Sequence, residues 1–531
     1  MKRILTTVGK VNWWRSAYAL FALGAVAMAS PAQTLTTLYT FPCTQGVCPD
    51  GGNPYGSLVQ AINGELYGTT FEGGATNEGG ATNGGTIFKI AQGGTFTMLY
   101  NFCSQVACAD GSQPYAALIQ ATDGNLYGMT RVGGISTTEL SGGGTIFRIT
   151  PSGTLTTLYS FCAQSGCPDG YSPYAGLIQA RDGNFYGTTT FGGTSGAPGS
   201  ACYFSGGCGT VFKMTPSGVL TTLYNFCSET NCTDGVNPYG GLIQAASGEL
   251  YGTTNAGGNS GGACAVMFRV PVGCGTIFKI TSGGTLTTVH RFCVQSGCPD
   301  GYGPAWPLVE APDGEFYGTT IGLVELADYE FFSGSIFKFS ERAGVTTLCN
   351  LTSSCAAGAS PSGLIAATDG NFYGTTLEGS LNPPPVYGTV FEITPGGVMT
   401  RVYGFCAQPG CADGSNPVAG LLQATNGDFY GTTTNFTDAS NAGTVFRLST
   451  GLRPFVETLP VSGRAGARIR ILGTDLTGAT SVTLNGTAAS FDVIAPTQIA
   501  ATVPSGASTG EVKVVTPNGT LSSNVPFRVL P

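Results

Sequence analysis

Histidine is almost missing from this sequence, which has a single one, His290, among 531 residues. Serine–histidine–aspartate catalysis, cysteine–histidine catalysis and histidine-based metal sites all depend on this residue type. His290 itself lies in the segment TTVHRF, in which other copies of the segment carry tyrosine. We therefore read it as a structural residue and expect no catalytic residue, no metal site and no cofactor.

Charged residues are also scarce, at 10% of the chain against roughly 25% in an average soluble domain. Acidic residues outnumber basic ones by 30 to 22, which argues against nucleic acid or an anionic membrane as a partner. Apolar residues still make up 42% of the chain, so it can bury a core. Glycine, with 83 residues, supplies the positive φ angles of tight turns. Together these features predict an all-β protein.

Long apolar runs are missing after the first 32 residues. The start of the chain is typical of an export signal, with Lys2, Arg3, Lys10 and Arg15, an apolar segment over 17–28, and cleavage sites after Ala29 or Ala32. An uncleaved anchor is the alternative, although the apolar segment is short for a bilayer. Cleavage would leave 18 basic against 30 acidic residues, a net charge of −12. We expect an extracellular, periplasmic or cell-surface protein with no membrane span in the mature chain.

All eighteen cysteines have a close neighbour in the sequence, which together with an export signal predicts nine local disulfides. Zinc is the competing explanation, but zinc sites recruit a second close pair or histidines. The predicted pairs are Cys43–Cys48, Cys103–Cys108, Cys162–Cys167, Cys202–Cys208, Cys227–Cys232, Cys264–Cys274, Cys293–Cys298, Cys349–Cys355 and Cys406–Cys411. The Cys349–Cys355 pair is the least regular, since Cys349 stands where other copies have tyrosine.

A unit of 56 to 66 residues is repeated seven times, each marked by Tyr-Gly-Thr/Met-Thr. In the third copy it predicts strands over 177–180, 184–189, 209–214 and 220–226, joined by Asp-Gly and Pro-Ser-Gly turns and one long glycine-rich loop. Seven four-stranded units predict a seven-bladed β-propeller. The last copy lacks its fourth strand, and LTTLYTF over 35–41 supplies it. This N-terminal strand would close the ring and remove its open edge.

The topology predicts that one face carries tight turns and the other carries the long loops and every cysteine pair. Six loops between blades contain Cys-x-Asp-Gly-x-x-Pro, and the seventh has Ala357 in place of aspartate. We interpret these loops mainly as scaffold, in which Asp-Gly forms a turn and proline fixes the following strand. The alternative is a collective negative funnel that concentrates cations. The aspartates are Asp50, Asp110, Asp169, Asp234, Asp300 and Asp413.

Aromatic residues follow the prolines of five of these loops. They are Tyr55, Tyr115, Tyr174, Tyr239 and Trp306. Packing between blades is one interpretation, and an aromatic rim that stacks on sugar rings is the other. The loop face and these aromatic residues are therefore the candidate recognition surface.

The sequence pattern changes after Leu452. No cysteines follow, and about 80 residues alternate between short predicted strands and turn residues. Residues 453–531 resemble the TIG (IPT) immunoglobulin-like family in IRILGTDLTGATSVTLNG and ATVPSGASTGEVKV. Residues 33–450 resemble the bacterial tandem repeat called GloVer in their units of G-L-x-x-A, D-G-x-L/F-Y-G-T-T and G-T-V/I-F-K/R. The GloVer resemblance implies an exported protein and brings no catalytic motif with it.

These features together favour an exported, non-catalytic binding or interaction protein whose glycan or protein ligand is unknown. A carboxylate-based hydrolase or lyase acting on polysaccharide on the same face is the first alternative, since two acids suffice for that chemistry. A self-associating structural surface protein is the second.

Overall fold

The computed structural model describes residues 33–44, 46–74, 84–135, 142–194, 202, 207–258, 273–295, 298–321, 323–326, 329–332, 334–351, 358–379, 387–434 and 441–531. The predicted export signal, residues 1–32, lies outside them. Within these ranges strands predominate, and the helices are single 3-10 turns at Val106–Cys108, Thr230–Cys232 and Pro409–Cys411. None of the helices in the described part is long and apolar enough to cross a membrane. The prediction of an all-β fold is confirmed.

The repeats form seven antiparallel sheets. Strand β1 is Thr34–Pro42 and belongs to the seventh sheet. The first sheet contains β2 Val59–Gln60, β3 Leu66–Thr70, β4 Thr86–Ile90 and β5 Phe96–Asn101. The second contains β6 Ile119–Gln120, β7 Leu126–Thr130, β8 Thr145–Ile149 and β9 Leu155–Ser160. The third contains β10 Ile178–Gln179, β11 Phe185–Thr189, β12 Thr210–Met214 and β13 Leu220–Asn225.

The other four sheets repeat this order. The fourth contains β14 Ile243–Gln244, β15 Leu250–Thr254, β16 Thr276–Ile280 and β17 Leu286–Arg291. The fifth contains β18 Val309–Glu310, β19 Phe316–Thr320, β22 Ser335–Ser340 and β23 Gly344–Asn350, with a hairpin of β20 Leu323–Leu326 and β21 Tyr329–Phe332. The sixth contains β24 Ala359–Pro361, β25 Ile365–Ala366, β26 Phe372–Glu378, β27 Thr389–Ile393 and β28 Met399–Gly404. The seventh contains β29 Leu422–Gln423, β30 Phe429–Thr433, β31 Asn441–Ser449 and β1.

The Tyr-Gly-Thr-Thr motif is the second strand of each sheet, and its packing explains its composition. An added Cβ on Gly187 would lie 2.6 Å from Cζ of Phe212, so only glycine fits beside this ring. The last threonine, Thr189, pairs its hydroxyl with that of Thr210 at 2.8 Å across the sheet. Both threonines are fully buried. The motif therefore serves the core of each sheet.

Apolar clusters join neighbouring sheets, and one of them joins the seventh sheet to the first. In this cluster Phe41 of β1 is fully buried and lies 5.4 Å from the ring of Phe88 in the first sheet. Tyr39 of β1 stacks on Phe96 with ring centroids 3.9 Å apart. Strand β1 also pairs with β31 from Thr34↔Ser449 to Pro42↔Asn441. It thus completes one sheet and packs against the next.

A second seam runs along the innermost strands. In six of the seven junctions a backbone N–H of one sheet donates to a Gln or Glu side chain at the end of the next sheet's first strand, at 2.7–3.0 Å. Thr425 N–H, for example, donates to Gln60 Oε1 at 2.9 Å. The junction of the fifth and sixth sheets differs, because Pro312 has no N–H and Ala366 stands in the acceptor position. Donor and acceptor are missing from the same junction.

Gln60→Ala is expected to lower the free energy of unfolding by about 1–3 kcal/mol, because Thr425 N–H loses its acceptor in a buried position. Urea unfolding measures the change, and Gln164→Ala, at an exposed position, is the control. In the junction that lacks the bond, Pro312→Thr combined with Ala366→Gln should gain about 1 kcal/mol, whereas Ala366→Gln alone should gain nothing. Equal urea midpoints for wild type, Gln60→Ala and Gln164→Ala would contradict this role.

The C-terminal domain is a sandwich of two four-stranded sheets. Its strands are β32 Glu457–Leu459, β33 Ser462–Arg464, β34 Arg468–Leu472, β35 Ser481–Leu484, β36 Thr487–Ala488, β37 Phe491–Ala495, β38 Gln498–Thr502, β39 Val512–Thr516, β40 Gly519–Ser522 and β41 Arg528–Leu530. The sheets are β32-β34-β38-β37 and β36-β35-β39-β40, and β33 pairs with β41 in parallel. The core between them includes Ile471, Val482 and Val514.

This domain packs against the side of the seven-sheet repeat domain that carries the tight turns. We call the repeat domain the ring and this side of it the turn face. Phe455 N–H donates to Thr425 O at 2.9 Å in the seventh sheet's first turn. Thr497 lies against Gly64 in the corresponding turn of the first sheet. Arg528 Nη1 donates to the carbonyl of Ala246 in the fourth sheet. The opposite face, which we call the loop face, carries the loops between blades.

Glu457 in β32 is expected to make the stability depend on pH. Burial raises its pKa to about 7, and a hydrogen bond from Asn524 only partly opposes this. The folded protein therefore holds a proton that the unfolded chain releases near its ordinary pKa of 4.5. Stability from this group is greatest below about pH 4.5 and falls as the pH rises toward 7.

Urea unfolding at pH 5 and pH 8 tests this expectation. Glu457→Gln should lose less stability between the two pH values than the wild type does. Glu511→Gln on the same domain is the control, because hydrogen bonds from Ser522 and Lys513 lower the pKa of Glu511. A wild-type and a Glu457→Gln chain with the same pH dependence would contradict the assignment.

Candidate functional site

The cysteine loops between blades lie at the outer strands. The structure contains seven of the predicted disulfides: Cys43–Cys48, Cys103–Cys108, Cys162–Cys167, Cys202–Cys208, Cys227–Cys232, Cys293–Cys298 and Cys406–Cys411. Cys274 and Cys349 are also disulfide-bonded. Their predicted partners, Cys264 and Cys355, lie outside the described residues, as does Ala357. The sulfurs of Cys208, Cys227 and Cys232 lie within 4.8 Å of one another, but all three belong to disulfides.

The loop aspartates accept hydrogen bonds from the strand before the loop, and all of them except Asp50 also accept hydrogen bonds from backbone N–H groups of their own loop. Asp110 accepts from the Tyr100 hydroxyl at 2.8 Å and from the backbone N–H groups of Ser104 and Gln105. The same bond joins Tyr39 to Asp50, Tyr159 to Asp169, Tyr224 to Asp234 and Tyr403 to Asp413. Asp110, Asp234 and Asp413 have no exposed surface. Through these hydrogen bonds the aspartates hold their loops to the preceding strands.

His290 takes the tyrosine position in the fourth sheet, where its Nε2 lies 2.9 Å from Asp300 Oδ2. Asp300 also accepts from the backbone N–H of Cys293. The pair borders a cleft of about 600 Å³ between the outer strands of the fourth and fifth sheets, near Val345 and Thr347. The structural interpretation of His290 thus matches the contacts that it makes.

The four tyrosines form a continuous row. Ring centroids are 4.9 Å apart for Tyr55 and Tyr115, 5.0 Å for Tyr115 and Tyr174, and 4.9 Å for Tyr174 and Tyr239. Because the rings come from four successive blades and still touch, the row lies where the innermost strands converge. We call it the tyrosine row. It lies on the loop face, at the start of each first strand.

Two residues that follow the Tyr-Gly-Thr-Thr strand extend the row, and the sequence reading missed both. Phe71 packs edge-on against Tyr55, with centroids 5.2 Å apart. The guanidinium of Arg131 lies 5.1 Å above the ring of Tyr174. The repeat could have indicated them, since Phe71 and Arg131 both directly follow the Tyr-Gly-Thr/Met-Thr motif. Their side chains turn toward the row because strand two ends on the loop face.

Trp306 is related to the tyrosines by position but differs in its contacts. It lies against the backbone of Gly363 in the sixth sheet, with Cε3 3.8 Å from where a side chain on this glycine would begin. Its indole Nε1 is buried, and no described protein atom accepts a hydrogen bond from it. Buried polar groups without a partner are rare in proteins. Trp306 thus has a buried indole donor without a protein partner among the described residues.

The hydroxyl groups of the tyrosine row also lack protein partners among the described residues, unlike the tyrosine hydroxyls that bind the loop aspartates. Burial, followed by the neighbouring tyrosines, raises the pKa of Tyr115 and of Tyr239 to about 12. The hydroxyls of Tyr115 and Tyr239 are therefore neutral near pH 7 and can both donate and accept. Since Tyr55 and Tyr115 turn their faces to each other at 17°, these two offer edges and hydroxyls rather than ring faces.

Comparison with known proteins matches most of the chain to one family model. The Gloeobacter/Verrucomicrobia repeat matches residues 19–201, 199–446 and 326–488. The IPT/TIG domain matches residues 455–529. No curated protein matches the chain.

Solved structures resemble it only distantly. A fungal alcohol oxidase of the AA5 family, in complex with copper, has a TM-score of 0.49 and 12% identity, covering 94% of this chain and 100% of its own. The extracellular domain of a hybrid two-component system from B. thetaiotaomicron has a TM-score of 0.44 and 10% identity, covering 90% of this chain and 53% of its own. With TM-scores below 0.5, these likenesses say nothing about the activity of the present chain.

Proposed function

The chain belongs to the Gloeobacter/Verrucomicrobia repeat family and carries an IPT/TIG domain, and from this we propose an exported, non-catalytic binding or interaction protein. Its recognition surface is the centre of the loop face. Residues 1–32 are the export signal, 33–450 the repeat domain and 453–531 the C-terminal domain. The disulfides support export, because such bonds persist in oxidising compartments.

The observation that carries the proposal is the tyrosine row, whose four hydroxyls have no partner among the described protein atoms. The guanidinium of Arg131 lies over the ring of Tyr174, next to these hydroxyls. A row of donors and acceptors on an aromatic base fits a ligand rich in hydroxyl groups, such as a glycan. Carboxylate and amide groups on such a ligand would also accept hydrogen bonds from Arg131.

A glycan array with and without Ca²⁺ tests the proposal, and each hit is also assayed for cleavage. Tyr174→Phe removes one hydroxyl and keeps the ring, so binding should weaken by roughly 3- to 10-fold, the value of one hydrogen bond. Tyr387→Phe, at an exposed tyrosine, is the matched control and should change nothing. Cleavage of a bound glycan would replace the proposal with the hydrolase or lyase alternative. No glycan binding together with concentration-dependent self-association would favour the structural alternative.

A further inference from the structure

A cavity of about 1050 Å³ lies between the turn face and the C-terminal domain. The ring contributes the first turns of the second and third sheets, and the domain contributes β34 and the ends of β33, β37, β38 and β41. It is on the opposite side of the ring from the tyrosine row. No residue of the candidate recognition surface lines it.

Arginine side chains converge on this cavity from both partners. Arg181 comes from the ring, and Arg468 and Arg470 come from β34. Arg181 and Arg528 both direct Nη1 to the carbonyl oxygen of Ala246 in the fourth sheet. Burial, followed by the charge of Arg528, lowers the pKa of Arg181. Two guanidinium groups on one carbonyl concentrate positive charge in a protein whose overall charge is negative.

The acidic groups nearby do not cancel this charge. Glu310 lies near Arg181 and accepts from the N–H of Ala246 at 2.8 Å. Asp492 lies 3.5 Å from Arg468, with both side chains largely exposed. Asp182, in the turn after Arg181, is paired with Lys213. No ion pair among the described residues involves Arg181, Arg470 or Arg528. The three lining arginines, Arg181, Arg468 and Arg470, therefore outnumber the two nearby acids that are not bound to a lysine.

The walls between the arginines are aliphatic. Ile119 and Ile178 come from the ring, and Leu459 comes from the domain. Val461 and Ile494 also line the cavity and are 48% and 57% exposed, so solvent reaches it past apolar side chains. Exposed aliphatic groups beside arginines without carboxylate partners suit a ligand that has an apolar body and an anionic end.

We propose that this interdomain cavity binds an organic carboxylate with an aliphatic body. Arg470 holds the carboxylate by charge-assisted hydrogen bonds, Arg181 and Arg468 add positive charge to the cavity, and the aliphatic walls cover the body of the ligand. The carboxamides of Gln120, Gln179 and Gln244 line the ring side of the cavity. This site is independent of the proposed function of the loop face.

Calorimetric titration of the protein with sodium decanoate tests the proposal. Decanol, which has the same body without the charge, and citrate, which has the charge without an aliphatic body, are the ligand controls. We expect saturable binding of one decanoate and much weaker binding of decanol and citrate. In about 1 M salt, where the screening length falls to about 3 Å, binding should weaken.

Arg470→Met keeps the length of the side chain and removes its charge, and it should weaken decanoate binding at least about tenfold. Arg464→Met, which removes an exposed arginine outside the cavity, is the matched control and should leave binding unchanged. Both variants should keep the wild-type urea midpoint. Absence of saturable decanoate binding, equal binding of decanol or citrate, or equal loss in both variants would overturn the proposal. Tyr174→Phe should leave decanoate binding unchanged. The proposal for the cavity and the proposal for the loop face can therefore be rejected independently of each other.

Discussion

A chain without residues 33–42 is expected to lose the folded ring. Strand β1 covers the edge of β31 along its length, and without it the seventh sheet exposes an unpaired row of N–H and C=O groups. The loss of Phe41 alone from a fully buried position is worth about 3–5 kcal/mol. The loss of Tyr39 from its stack on Phe96 adds to this. We expect aggregation, or a urea midpoint far below that of the intact chain.

Size-exclusion chromatography and urea unfolding measure this result. The reference chain begins at residue 33, and a second variant replaces residues 34–41 with glycine and serine to keep the length. A synthetic peptide of residues 33–42 added to the truncated chain should restore part of the urea midpoint. A truncated chain that is monomeric and unfolds at the midpoint of the reference would show that the ring does not depend on β1.

Gly187→Ala is expected to have the second largest effect, a loss of about 3 kcal/mol in the free energy of unfolding. The new methyl group would lie 2.6 Å from Cζ of Phe212 and 3.1 Å from Cδ2 of Leu177, both of which are buried. The ring of Phe212 is held by the cluster between the second and third sheets, so it cannot move away without disturbing that cluster.

Gly93→Ala is the control, since no atom lies within 4 Å of an added Cβ there. Urea unfolding compares the two variants. Phe212→Leu makes room for the methyl group, so the double variant should lose less stability than the two single losses together. Equal midpoints for Gly187→Ala and Gly93→Ala would show that the core adapts to the methyl group.

The repeat made most of the local structure predictable. In the third copy the strands expected over 184–189 and 209–214 are found at Phe185–Thr189 and Thr210–Met214, within one residue at each end. This agreement arises because hairpin turns and alternating apolar residues act over a few positions, and each copy repeats the same evidence. The roles of Phe212 and Thr210 against the Tyr-Gly-Thr-Thr strand depend on register, which the sequence pattern does not specify.

The arrangement of distant surfaces was beyond the sequence. The tyrosines were candidates, but their contact in one row depends on how closely the innermost strands approach. The tyrosine partners of the loop aspartates are visible only in the folded sheet, where Tyr100 and Asp110 meet. The contact of the C-terminal domain with the turn face joins two surfaces that share no sequence pattern. The sequence therefore did not indicate that Arg470 lines a cavity between them.

Strand β1 also has a consequence for the order of synthesis. It is made before the other described strands of the repeats, and its partner β31 ends at Ser449, about 400 residues later. At about 5–20 residues per second, translation takes roughly 20–80 s to cover that distance. During this time Tyr39 and Phe41 are without the sheet that later covers them. Any factor that shields the emerging chain therefore has to protect its first strand until the last repeat has been made.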